Sequence, residues 1–220
     1  MAEKPAGNVT PSTPPALVTG RRAASLVRGV SVARWTLWLA LVALTGCAPG
    51  PLTDLDDLCR IFEERPAWRE GALRAHGRWG VDTSIQLAFV HQESRFRAEA
   101  RPPRKRFLGF VPLWRPSTAY GYGQVNDGTW SMYRSREQRR AKRDRFEDVA
   151  DFIGWYANHI HEITGIPKDD AYRLYLAYHE GPTGFRRGSY LEKPWLIDVA
   201  GRVEARAERY AAQRRHCGAS

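Results

Sequence analysis

The chain has 220 residues, of which 34 are Lys or Arg and 24 are Asp or Glu, for a net charge of +10. That length suffices for one domain with a real core, and no uninterrupted apolar run reaches the ~20 residues of a membrane-spanning helix. The positive charge suits an anionic surface or polymer; no nucleic-acid motif accompanies it, so no nucleic-acid partner is expected.

Residues 1–20 are rich in Pro, Gly, Ser and Thr and show no apolar period. They read as unstructured, or as an over-extended start site. A basic stretch free of acids follows, carrying Arg21, Arg22, Arg28 and Arg34, and then the apolar run 35–46. Basic followed by apolar is the layout of an export signal. Leu44-Thr45-Gly46-Cys47 resembles a bacterial lipobox. The resemblance implies acylation of Cys47, a mature chain that begins there, and a membrane partner held through the lipid. Ala48 stands where an inner-membrane retention Asp would sit, which favours the periplasmic face of the outer membrane. An ordinary signal peptide that contains a Cys, or a buried apolar helix, is the alternative.

Three segments are expected: 1–46 as extension and signal, 47–53 as acylated Cys and tether, and 54–217 as the folded domain. Five basic groups and one acid precede Cys47, so the charge from Cys47 onward is +6. Cys59 and Cys217 lie near the two ends of that domain. An oxidising compartment permits a disulfide between them; two free thiols are the other reading.

Leu55, Leu58, Ile61 and Phe62 recur at helical spacing, which predicts a helix over 54–64. Pro66 ends or re-aims it, and a short helix over 67–76 follows. Residues 82–94 form a stronger helix, capped by Asp82, Thr83 or Ser84 and apolar on most sides. Glu93 stands at its end. Residues 95–117 hold four prolines and no long period. They read as a long loop with a short strand or hairpin near 107–114, in which Trp114 is a groove wall or a core plug. Gly121 and Gly123 mark a tight turn. Apolar periodicity predicts helices over 146–163, over 171–180 as far as Gly181-Pro182, and over 194–213 with Pro194 in the first turn. The domain reads as mainly α.

Three short motifs line up in order: Glu93-Ser94, Gly121-Tyr122-Gly123-Gln124, and Ala177-Tyr178-His179-Glu180-Gly181. Over about residues 81–190 they resemble the soluble lytic transglycosylase (SLT) family, which has a lysozyme-like helical fold with a groove. There an apolar helix ends in a catalytic Glu-Ser pair, a Gly-x-x-Gln turn follows, and an Ala-Tyr-Asn-x-Gly helix end closes the set. The resemblance implies cleavage of the MurNAc-GlcNAc β-1,4 bond of peptidoglycan with a 1,6-anhydromuramoyl product; a hydrolytic lysozyme that uses water, or a non-catalytic peptidoglycan-binding lipoprotein, is the alternative. Glycan strands would be the partner and no cofactor is needed; an envelope-spanning assembly is a further partner of such domains. By the same resemblance Glu93 is catalytic. Ser94 hydrogen-bonds near it or to the substrate, Gln124 lines the cleft, and Tyr178 places its hydroxyl near Glu93. Tyr122 packs or stacks on sugar. Two departures stand out: His179 replaces the Asn, and the segment before the Gly turn is longer and rich in Pro and Arg.

The chemistry has its own logic. Glycosidic cleavage needs a proton on the leaving oxygen, and burial among apolar groups keeps a Glu protonated near neutral pH. Glu99, Asp127 and Glu180 are the candidates for a second carboxylate, and spacing does not choose among them. His159 and His161 are two apart and do not share a helix face. His161-Glu162 lacks the second His of a zinc-protease helix. No metal site is expected.

Overall fold

A computed structural model describes residues 50–104, 106–107, 111–112, 117–137 and 140–217. The export-like segment, Cys47 and Trp114 lie outside the described residues. Among these the chain forms seven α-helices, one 3-10 helix and one two-stranded hairpin, the mainly helical architecture expected. No described helix is long and apolar enough to cross a membrane.

Helix α1 (Leu58–Glu64) begins later than its apolar period suggests. Asp57 caps it by accepting a hydrogen bond from the Arg60 amide. Leu55 stays outside, where its carbonyl accepts the Tyr210 hydroxyl. Helix α2 (Pro66–Trp79) has Pro66 in its first turn and ends on Gly80 at φ 75, so this proline starts a helix where it also ends one. Helix α3 (Thr83–Ser94) is capped by Asp82. Its first eight residues are all buried, so it has no solvated face until His91. The chain leaves it through Arg95 (φ 52) and Phe96 (φ 58), both left-handed without being glycine.

In the long loop, Arg106–Phe107 (β1) pairs antiparallel with Val111–Pro112 (β2). Helix α4 (Asp127–Arg136) was not legible in the apolar pattern. Only Trp130 and Tyr133 of it are buried, and Asn126 caps it. Helix α5 (Phe146–Thr164) is the central element, with eleven buried residues. It lies along α2 so closely that a Cβ on Gly154 would sit 2.7 Å from the Trp79 ring. Helix α6 (Ala171–Arg186) continues past the expected stop, but Gly181 (φ 74, ψ 157) breaks its path before Pro182 starts a last turn. A 3-10 turn (Ser189–Glu192) leads to helix α7 (Pro194–Arg214).

Helix α3 packs against α7, and α6 packs against both α5 and α7. A disulfide joins Cys59 of α1 to Cys217, 158 residues later, just past α7. On the other side of the core, Trp68 of α2 stacks on Phe146 (4.4 Å) and Phe96 (5.8 Å) and meets Tyr122 edge-on (5.5 Å). That cluster holds the turn after α3 and the 121–124 turn against α2 and α5. The ends of α3 and α6 and the Gly turn thereby meet in one place.

Candidate active site

Phe89 of α3 meets Tyr175 and Tyr178 of α6 edge-on, at 5.2 and 5.3 Å. Glu93 lies one helical turn beyond Phe89 on the same face, and so it too is delivered to α6. The Tyr175 hydroxyl donates to Glu93 Oε1 at 2.8 Å. Glu93 is half-buried, and it opens into a groove of about 400 Å³. Pro102, Ser117 and Ala119 line the groove from the loop after α3, and Gln124, Val125, Asn126 and Thr129 from the Gly turn and the start of α4. Phe152 and Tyr156 of α5 and Tyr178 of α6 give it an aromatic lining, and His179 of α6 lines it too.

Glu93 is the sole carboxylate among the described residues that line this groove. Burial raises its pKa from 4.5 to about 7, and the Tyr175 hydrogen bond pulls in the opposite direction without cancelling the rise. Two facts hold together here. The groove reaches the carboxyl, yet protein surrounds it closely enough to penalise its charge. Tyr175 is itself pushed well above the ordinary tyrosine range, first by burial and then by the neighbouring Glu93, so its hydroxyl stays a donor. An acid of this kind, half-protonated near neutral pH and open to a groove, can both give and take a proton.

The turn opposite Glu93 is built to close tolerance. At Gly121 (φ 80) a Cβ would lie 1.9 Å from the Arg143 carbonyl oxygen, so only glycine fits. Gln124 (φ 45) donates from Nε2 to the carbonyls of Ala100 (2.8 Å) and Gly121 (3.0 Å). The Tyr178 hydroxyl donates to the Gly123 carbonyl at 2.7 Å. The turn is therefore tied to the loop after α3 and to α6, the two elements that flank the acid.

The family described as transglycosylase SLT domain matches residues 35–217. This span takes in the acid, the turn, the α6 end and most of the chain. The chain belongs to the transglycosylase SLT domain family. Neither a curated protein nor a solved structure matches it. With the family come the lysozyme-like helical fold, lytic transglycosylase activity on peptidoglycan, and a place at the cell envelope.

Several residues that the SLT resemblance singled out are placed differently from expectation. Tyr178 points its hydroxyl at the Gly turn, and Tyr175 takes the position beside Glu93. The two tyrosines lie three apart on one helix face, and Tyr178 is still near enough to Glu93 for that carboxylate's charge to add to the burial that raises its own pKa. The Ser94 hydroxyl does not meet Glu93. It donates to the Val90 carbonyl at 3.1 Å, a back-bond within α3, and the residue is buried. Tyr122 is a packing residue, buried against Trp68 and Phe146 and outside the groove. Gln124 lines the groove as expected while also holding its turn. His179 lines it too, with Nδ1 3.0 Å from Glu180 Oε1.

None of the three possible second carboxylates lines the groove. Asp127 pairs with Arg143 at 2.7 Å. Glu99 lies in a separate shallow hollow with Arg97 and Arg101. Glu180 turns away to Lys193 and Ser189. Its burial favours protonation, but the hydrogen bonds from Lys193, Ser189 and His179 outweigh this and hold it at about 2. Sequence reasoning missed Tyr175, Phe152 and Tyr156. For the last two a cue existed, since residues 152 and 156 recur at helical spacing beside the apolar stripe of α5.

Proposed function

We propose that Glu93 is the one acid–base group of this transglycosylase and that it serves both halves of the reaction. Protonated Glu93 gives its proton to the β-1,4 glycosidic oxygen between MurNAc and GlcNAc. The GlcNAc side leaves as its O4 hydroxyl, while the MurNAc acetamido oxygen bonds to C1 in its place. Glu93, now a carboxylate, takes the proton of the MurNAc C6 hydroxyl as that oxygen attacks C1 and releases the acetamide. The acid is regenerated, a 1,6-anhydro ring closes, and no water is consumed.

The observation that carries this reading is the solitary carboxyl at about pKa 7 in a groove with no second one among its described lining residues. A retaining or inverting hydrolase of the usual two-carboxylate kind needs a partner carboxylate, whereas a reaction in which the substrate supplies its own nucleophile does not. Tyr175 tunes the acid, and Gln124, His179 and the aromatic lining hold the strand.

The deciding experiment digests purified peptidoglycan sacculi with the soluble form (residues 48–220) and with E93Q, and reads the fragments by mass spectrometry. Anhydromuramoyl ends from the native protein alone support the reading. Reducing ends, heavier by one water, mean that water replaces the C6 hydroxyl, and undiminished turnover by E93Q removes the assignment.

Residues 1–46 are proposed as an N-terminal extension and export signal, and Cys47 as the acylated anchor at the outer membrane. In support, Cys59 and Cys217 are already paired, which leaves Cys47 of the three cysteines. Two acyl chains or more hold a protein stably where one does not. Release of C47A into the soluble periplasmic fraction is the expected result, and unchanged membrane association would argue against the anchor.

A further inference from the structure

Trp195 is 54% exposed. A single exposed aromatic is ordinary on a protein surface. This one, however, meets the His179 ring edge-on at 5.2 Å, with planes 79° apart, and His179 lines the groove. The exposed indole of Trp195 thus stands directly beside a side chain that lines the groove.

The pair is held in place. Lys193 Nζ donates to both oxygens of Glu180, at 2.6 and 2.9 Å, and the Ser189 hydroxyl donates to the same carboxylate. Glu180 also bonds His179 Nδ1. One carboxylate therefore ties the end of the regular part of α6, just before the Gly181 break, to the turn that begins α7 at Pro194. With Lys193 anchored, Trp195 is fixed beside His179. The imidazole stands where the SLT pattern has a shorter Asn, and it is this ring that bridges groove and indole.

A groove of about 400 Å³ accommodates a small ligand, not a polymer. A glycan strand must therefore run on over the surface. Sugar rings present apolar C–H faces with polar edges, which suits a flat, half-exposed indole with an imidazole at right angles to it.

We propose that Trp195 and His179 form a saccharide-binding shelf that extends the Glu93 groove by a further sugar of the strand. The shelf rests on the Glu93 reading of the groove. Glu180 is a positioning residue within it, acting through His179 and Lys193. The shelf makes affinity grow with strand length.

The test uses glycan strands from sacculi, freed of cross-links and separated by length. Binding is measured in the E93Q background, where no turnover interferes, and kinetics in the native background. W195A is expected to weaken binding of long strands and raise their KM about tenfold, roughly one aromatic contact's worth. The shortest fragments should shift less than about twofold, and W195F should restore most of the affinity. Equal loss at every length, or no loss at any, would overturn the shelf. So would W195A that binds strands normally but loses binding to phosphatidylethanolamine–phosphatidylglycerol vesicles, which would make Trp195 a membrane contact. Failure of the Glu93 reading is separate: it shows as turnover by E93Q, whatever Trp195 does.

Discussion

Glu93 is expected to destabilise the folded domain once it ionises, and glutamine should relieve that cost. The folded pKa of about 7 lies above the ordinary 4.5. Below the ordinary value the carboxyl is neutral in both folded and unfolded states and contributes no pH dependence. Between the two values the unfolded chain ionises and the folded one resists, so stability falls as pH rises through 7. At about 1.4 kcal/mol per unit, the gap corresponds to about 3.5 kcal/mol, and the water that reaches Glu93 through the groove reduces this to about 2. Glu93→Gln keeps an acceptor for the Tyr175 hydroxyl and removes the titration. Urea unfolding of native and E93Q protein at pH 4.5 and 8 measures the effect. The advantage of E93Q should grow by about 2 kcal/mol between the two pH values, because the other groups titrate alike in both proteins. An advantage that stays flat with pH would mean that Glu93 titrates as an ordinary surface acid, and it would remove the physical basis for its role as a proton donor at neutral pH.

Tyr175→Phe deletes a hydrogen bond that favours the Glu93 carboxylate, so the acid should move further above 7, by about one unit. The alkaline limb of kcat/KM against pH would shift upward with it; an unmoved limb would show that the bond does not tune the acid. Replacing Cys59 and Cys217 by Ser removes a cross-link across 158 residues of sequence. The chain-entropy argument gives a loss of about 5 kcal/mol, readable by denaturant titration, and equal stability with and without the bridge would refute it.

Much of the scaffold was legible in the chain order of residues. Asp82 before an apolar run, Pro66 and Pro194 at first turns, and Gly80, Gly165 and Gly181 where helices end or break are local instructions, because caps and φ preferences act within a few residues. The place of Glu93, at the point where α3 stops being apolar, was legible for the same reason, as was the demand for glycine at 121. Helix α4 was not, since two buried aromatics in ten residues make no period.

The chemistry around Glu93 depends on contacts between segments far apart in sequence. Tyr175 and Tyr178 share a face of α6, and the packed structure gives Tyr175 the hydrogen bond to the acid and Tyr178 the one to the turn. The same packing buries the carboxyl enough to raise its pKa and sends Asp127 and Glu180 to Arg143 and Lys193. A carboxylate's identity can be read from the sequence. Its protonation depends on the low-dielectric surroundings and partners that distant segments bring to it, and these exist only once the helices have packed.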